Sequence, residues 1–439
     1  MEENGLHPNT FCTRFRDELT KGIIMSDRVV SEEERRIVPT IFDSEEYRTD
    51  PFPTYKKLRD YHPLYHDRFH SNWVLSRYED VRAAFLDNEN YNRAVYEEDG
   101  PYEFGSENVF GPTILELGNG EKHRWSRGVV AGQFIGRNLE SFIPTIERIA
   151  AETIDLFSRR AAEDIAKGFI ETGEVDLVEQ FTIQYPIRVI SGMLGLPRED
   201  EDQFVEWYQL LIAGLGIGEE FHRRGVQARE ELNAYIDPFI KERRANPVGD
   251  DLITKIATAE LGGQRMTDAE VKGFVNLLLA AGGDTTDKAI GNMWWFVLQN
   301  PDQLAELKRD PSLWDRAFTE MMRYDPPVHV QPRRTTREIA MYGKVIPTRA
   351  NVTFQLGAAN RDERVFKDPD KFDIFRKDLY CGKEMRVGYY ANGEASHLGF
   401  GIGKHFCMGY AMARQESVIA CQMLTEAMPN VRLKRDDAE

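Results

Sequence analysis

One cysteine constrains this chain more than any other residue. Cys407 lies in the run Phe400-Gly401-Ile402-Gly403-Lys404-His405-Phe406-Cys407-Met408-Gly409, directly before a helix-forming stretch that opens Tyr410-Ala411-Met412-Ala413-Arg414. A sulfur placed there faces the backbone N–H groups of a helix N-terminus, which favour the thiolate and restrain its reactivity. Gly403 and Gly409 have no Cβ and let the backbone approach the sulfur. A lone intracellular cysteine is more often a buried, inert side chain. The complete run of aromatic, glycines, cysteine and following helix argues instead for a sulfur presented to a metal.

The run resembles the cysteine-ligand signature of the cytochrome P-450 superfamily: Phe, two residues, Gly, three residues, Cys, one residue, Gly. Every fixed position is met by Phe400, Gly403, Cys407 and Gly409. The resemblance implies haem b (iron protoporphyrin IX) with Cys407 as axial iron ligand, and a thiolate that promotes O–O cleavage. Phe400 would screen the cofactor edge, and His397 stands where a propionate could accept a hydrogen bond.

Composition sets the bounds around this motif. Apolar residues make up 41% of 439 and charged residues 29%, enough for a large buried core. A net charge of −17 argues against nucleic acid as partner, because phosphate binding needs a basic surface. The four cysteines, Cys12, Cys381, Cys407 and Cys421, form no C-x-x-C pair and point to neither a disulfide framework nor a zinc site. A reducing cytoplasm fits them. The start, Met1-Glu2-Glu3-Asn4-Gly5, offers no apolar run for a signal or a membrane anchor. No membrane contact is expected, and a monomer is.

Residues 1–40 are polar and carry the charged run Ser31-Glu32-Glu33-Glu34-Arg35-Arg36, so a loosely ordered extension is expected there. The fold proper should occupy 41–439 as one domain. A short helix is expected over Tyr55 to Asp60, then strands at Leu64-Tyr65-His66 and Asn72 to Ser76, with Pro63 tolerable only at a strand start or edge. Beyond residue 120 the apolar period is mostly helical. The sum is a mainly α (α+β) protein with small sheets, which is also the fold the resemblance implies.

Thr267-Asp268-Ala269-Glu270 forms a capping box opening a helix that runs to Asn300-Pro301, about 50 Å long. Its middle, Ala281-Gly282-Gly283-Asp284-Thr285-Thr286, is poor helix sequence, since each glycine costs roughly 1 kcal/mol relative to alanine. Close passage over a flat cofactor would account for the glycines, as would a kink between packed helices, and local widening could expose carbonyls. The segment resembles the superfamily's central helix motif. By position, Thr285 would orient the group that protonates dioxygen and Asp284 would relay protons from solvent, as O–O scission in a dry pocket requires.

Other segments extend the resemblance. Glu320 and Arg323 share a face of an expected helix, Pro311 to Tyr324, capped by Asp310; they match the family's structural cluster, with Arg361 as the third-member candidate. His123 and Arg127, four apart on an expected helix Glu121 to Phe134, match its propionate-binding pair, and Arg333 matches another propionate ligand. His123, Arg127, Arg333 and His397 would together neutralise two buried carboxylates. Two departures stand out. Lys377 to Ser396 is longer than the link many relatives have, and is expected to be a surface loop. The chain also stops at Glu439, before the β-hairpin with which relatives usually continue, so that hairpin is expected to be missing.

The resemblance therefore implies a haem-thiolate monooxygenase. It would insert one atom of O₂ into a small apolar or aromatic molecule, by hydroxylation or oxidative dealkylation. Electrons would come from NAD(P)H through a separate ferredoxin or flavodoxin with its reductase, docking near Lys122, Arg124 and Lys404. A peroxygenase or isomerase on the same fold, or a non-enzymatic haem sensor or carrier, is the alternative; the Asp284-Thr285 pair argues against the first, and NAD(P)H-driven turnover would separate the second. Expected pocket residues are Leu277, Ala280 and Ala281, the run Val328, His329, Val330 and Gln331, and the loop bearing Tyr96, Tyr102, Phe104 and Phe110.

Overall fold

The computed structural model describes residues 40–92, 109–115, 120–166, 173–216, 218–247, 249–382, 388–390 and 392–434. The expected N-terminal extension, Cys12, Tyr96, Tyr102 and Phe104 lie outside them.

The chain enters the fold at a 3-10 turn, Ile41–Asp43, whose Ile41 is buried. The first long helix, Phe52–Tyr61, starts three residues before the expected Tyr55, with prolines in its first turn where no N–H partner is needed. Nine strands follow among the described residues: β1 Leu64–Asp67, β2 Asn72–Leu75, β3 Tyr91–Asn92, β4 Glu260–Leu261, β5 Gln264–Arg265, β6 Val330–Thr335, β7 Ile339–Met341, β8 Lys344–Ile346 and β9 Asn351–Gln355. The main sheet has the order β1-β2-β9-β6-β3, and the other four strands make two-stranded hairpins. Only β2 and β9 run parallel within it. Pro63 precedes β1 as required, and Pro332 sits in β6 beyond the reach of β3, which pairs only with Arg334 and Thr335.

Helices make up most of the rest. The central helix, Asp268–Gln299, is capped by Thr267 and Glu270 in a reciprocal box, as its sequence requires. It is apolar on nearly every side because helices Gln184–Leu194, Glu201–Ala213, Glu219–Ala245, Trp314–Tyr324 and Tyr410–Ala427 all pack on it. Among the described residues, no helix is long and apolar enough to cross a membrane.

Two cores meet at the Cys407 loop. Leu398 and Ile402 pack with Phe85 and Phe354 in the core beneath the sheet. Phe406 and Tyr410 pack with the helical core that contains the central helix. The loop is thus pinned from both sides.

Candidate functional site

Backbone geometry explains the glycines of the loop one by one. Gly401 and Gly403 have φ of +66° and +72°, a region costly for residues with a Cβ. A Cβ on Gly403 would meet Leu86 and the Phe85 carbonyl, not the sulfur. Gly403 therefore makes the turn, contrary to the expectation that it admits the sulfur. Gly409 does lie against it, since a Cβ there would stand 3.8 Å from Cys407 Sγ. The turn is closed by the Cys407 N–H donating to the Phe400 carbonyl at 2.9 Å. Helix Tyr410–Ala427 begins two residues beyond Gly409's neighbour Met408, with Gly409 as its N-cap. Cys407 is exposed, whereas Cys421 is fully buried and its thiol is pushed well up by burial. The inert cysteine is Cys421.

Four side chains expected to hold carboxylates gather around this loop. His123 is buried with its ring 4.9 Å from that of His405, and an Arg127 N–H donates to the Phe406 carbonyl. Both sit on helix Glu121–Ala131, close to its expected span. Arg333, on β6, is buried over the rings of Phe85 and Phe354 at 5.2 and 5.4 Å. His397 is fully buried, its ring 5.9 Å from that of Phe400. His397 Nδ1 accepts the Gly399 N–H at 3.2 Å, which leaves the proton on Nε2, and Nε2 has no partner among the described residues. Burial, and then the Arg323 and Arg414 charges, push the His397 pKa down to about 3. A buried donor without a partner is costly, and an anionic acceptor would relieve it. Together with the ligand sulfur, this donor set fits a dicarboxylate cofactor such as haem.

The central helix is continuous α-helix through Ala281 to Thr286, without the widening its sequence allows. Gly282 and Gly283 lie against a neighbouring helix. Cβ atoms there would collide with Ile190 and Ile187 of helix Gln184–Leu194, the latter at 2.3 Å. Those glycines admit a neighbouring helix. Gly273, unremarked in the sequence, does the same for the Pro112 carbonyl, which an added Cβ would approach to 2.1 Å. After the buried run Gly273–Ala280, Ala281 is exposed, and Thr285 Oγ1 donates back to its carbonyl at 3.0 Å. Asp284 is paired with Lys288 one turn further along.

The expected structural cluster contains one error. Glu320 and Arg323, both essentially inaccessible, form a bidentate pair at 2.8 and 2.9 Å. The third member is Arg376, whose Nε lies 3.0 Å from Glu320 Oε2, and not Arg361. Arg361 is instead held between the rings of Phe52 and Tyr324, with its Nε donating to the Tyr324 carbonyl at 2.7 Å. A guanidinium stacked between two aromatic faces is already satisfied. The helix itself, Trp314–Tyr324, starts after a 3-10 turn that Asp310 caps.

Pocket expectations divide by helix face. Leu277, Ala281 and Thr285 follow one another at four-residue spacing on one face, but Leu277 and Ala280 are both buried in the helical core, and only Ala281 and Thr285 reach past it. His329 is also drawn away, its two nitrogens engaged by Tyr55 at 3.0 Å and Asp325 at 2.8 Å. Val330 is 40% exposed, with Val328 and Gln331 half-buried beside it. Phe110 is buried and its carbonyl accepts from Asn276. Of the basic residues expected to meet a partner, Lys122 is tied to Glu270, and Lys404 is exposed. The described part of 377–396 is tied down: Tyr380 and Tyr390 stack at 3.4 Å, and Tyr78 donates to the Gly388 and Ser396 carbonyls.

Comparison with known proteins agrees with this geometry. The chain matches the Cytochrome P450 family over residues 54–310 and 312–426. It is 30% identical to pulcherriminic acid synthase of Bacillus subtilis (strain 168), covering 90% of this chain and 92% of that protein. It is 35% identical to cytochrome P450 107B1 of Saccharopolyspora erythraea, covering 82% and 83%. The crystal structure of P450BioI with hexadec-9Z-enoic acid ligated acyl carrier protein superposes with a TM-score of 0.76 at 28% identity, covering 89% of this chain and 95% of that one. The chain belongs to the cytochrome P450 family, as a haem-thiolate monooxygenase of the bacterial type.

Proposed function

We propose that this enzyme hydroxylates or oxidatively dealkylates a small apolar or aromatic molecule, with one oxygen atom from O₂ entering the product. NAD(P)H supplies the electrons through a separate ferredoxin or flavodoxin and its reductase, docking beside exposed Lys404. The observation that carries the reading is the Ala281–Thr285 pair, where the central helix opens after a long buried run and presents a hydroxyl beside a carboxylate.

In this reading Cys407 ligates the iron of haem b, and His123, Arg127, Arg333 and His397 hold its carboxylates by charge-assisted bonds. When bound, the haem supplies the centre at which O₂ is reduced, with electron density from the sulfur favouring O–O cleavage. The chain's own residues manage protons and water. Thr285 exchanges its bond to the Ala281 carbonyl for one to a water that it holds in place. Asp284, partly exposed and paired with Lys288, collects protons from solvent and hands them inward. Leu277 and the small Ala281 leave apolar room for substrate, and Glu320, Arg323 and Arg376 fix the loop's supporting helix.

The test is product formed per NAD(P)H consumed, with peroxide measured alongside. Thr285→Ala should keep oxygen reduction, lose product and release peroxide, whereas Asp284→Asn should slow the whole cycle with less leakage. Full coupling in Thr285→Ala would reduce that residue to helix packing.

A further inference from the structure

Side chains opposite one another across a sheet share a face, so the register of β6 against β9 and β2 assigns a face to each residue ahead of Arg333. Gln331 pairs with Phe354 and Arg333 with Val352, and β9 in turn aligns these with Leu75 and Trp73 of β2. Trp73, Leu75, Val352 and Phe354 all belong to the core that holds Leu398 and Ile402 of the Cys407 loop. Gln331 and Arg333 therefore face that loop. Pro332 pairs with Thr353 and Val330 with Gln355 on the opposite face, where Val74 lies, and Val330 is exposed there.

Strict alternation would bring His329 back to the Cys407 side and send Val328 away from it. The structure does the reverse. Val328 packs against the Cys407-side core, whereas His329 meets Tyr55, which packs with Val74 on the other side. His329 and Val330 thus leave the Cys407 face in succession.

His329 is clamped at four points where this break occurs. Its Nε2 lies 2.8 Å from Asp325 Oδ1, and its Nδ1 lies 3.0 Å from the hydroxyl of buried Tyr55. With Nε2–H donating to the carboxylate, Nδ1 accepts from Tyr55, whose oxygen is 3.2 Å from the Tyr47 hydroxyl. The His329 carbonyl accepts the Leu356 and Gly357 N–H groups at 2.7 and 3.2 Å. These open the short helix Leu356–Ala359 and have no partner within it. Gly357 makes the room, since a Cβ there would stand 2.8 Å from His329 Nδ1 and 2.9 Å from Tyr55 Cε2.

We propose that His329 is a positioning residue for substrate selection: clamped by Tyr55 and Asp325, it resets the facing of the chain so that Val328 and Gln331 both meet the substrate and Val330 does not. The proposal rests on the reading that this run walls the substrate pocket. It also narrows the substrate class. A branched apolar side chain and a neutral amide, presented together, suit an apolar molecule that carries one hydrogen-bonding group, such as a carbonyl or a hydroxyl.

The test uses the holoprotein and two iron-binding probes, each followed by the shift of the haem absorption band. Imidazole reports access to the iron alone, and 4-phenylimidazole adds an apolar ring that must fit inside the wall. The readout is the ratio of their dissociation constants, because a general loss of stability acts on both probes alike. Val328→Phe and Gln331→Phe should each move that ratio several-fold, and Val330→Phe should leave it at the wild-type value. Tyr55→Phe and Asp325→Ala release the clamp and should each move it several-fold, whereas Asp325→Asn keeps an acceptor and should stay near wild type. Once the clamp is released Val330 can turn inward, so Val330→Phe should move the ratio further in the Tyr55→Phe background. A wild-type ratio in both Tyr55→Phe and Asp325→Ala, or a ratio moved by Val330→Phe alone, would overturn the proposal, as would a silent Val330→Phe in the Tyr55→Phe background. A wild-type ratio in both Val328→Phe and Gln331→Phe would instead overturn the pocket reading on which it rests.

Discussion

The Cys407 loop and the central helix both carry glycines at motif positions, and those glycines answer different needs. In the loop two serve their own backbone, Gly401 and Gly403 adopting positive φ, while Gly409 lies against the sulfur of its near neighbour Cys407. In the central helix Gly282, Gly283 and Gly273 have ordinary helical geometry and serve their neighbours, by admitting Ile190, Ile187 and the Pro112 carbonyl. A loop glycine can be read from the local chain. A helix glycine depends on which distant segment passes beside it.

Substitutions can break or sharpen that contrast. The largest effect should come from Glu320→Gln, because it leaves the Arg323 guanidinium buried without its carboxylate and takes from Arg376 one of its two, the other being Asp378. A loss of about 3–5 kcal/mol is expected from chemical denaturation. The matching change at Arg361, Arg361→Lys, should leave the Glu320 pairs intact, and a loss as large as that of Glu320→Gln would restore Arg361 to the cluster. Next comes Gly283→Val, where the new side chain is driven into Ile187. It should cost about 3 kcal/mol by overpacking and lower the melting temperature even without haem. His397→Phe removes the buried donor and should weaken haem retention by about 2 kcal/mol, measured as faster transfer to a competing apoprotein. Unchanged transfer would remove His397 from the cofactor's partners. The smallest effect belongs to Gly403→Ala, about 1 kcal/mol from the left-handed backbone, and a cost exceeding that of Gly283→Val would reverse the comparison.

Much of the fold could be read ahead of the structure because its signals are local. The Thr267/Glu270 box, Pro63 ahead of β1 and the apolar run Trp73-Val74-Leu75 of β2 each depend on a few adjacent residues. The misplaced residues share a different property. Arg376 rather than Arg361 reaches Glu320 because the segment after Asp373 folds back on helix Trp314–Tyr324, where Arg316 also donates to the Ile374 and Arg376 carbonyls. Spacing in the chain does not disclose that return. His329 looked like pocket lining by position, and Tyr55, 274 residues earlier, claims it. Asp287 carried no motif at all. It stands in the wholly polar run Asp284-Thr285-Thr286-Asp287-Lys288, and only the fold shows that it is buried against Thr182.

Among the described residues Cys407 is the exposed cysteine, beside Gly409, and Cys421 the buried one; the account stands on the first being the iron ligand. The direct measurement is the carbon monoxide difference spectrum of the reduced holoprotein and of its Cys407→Ser and Cys421→Ser variants. The account predicts the red-shifted band of a thiolate-ligated haem in wild type and Cys421→Ser, and its loss in Cys407→Ser. An unchanged band in Cys407→Ser would contradict it.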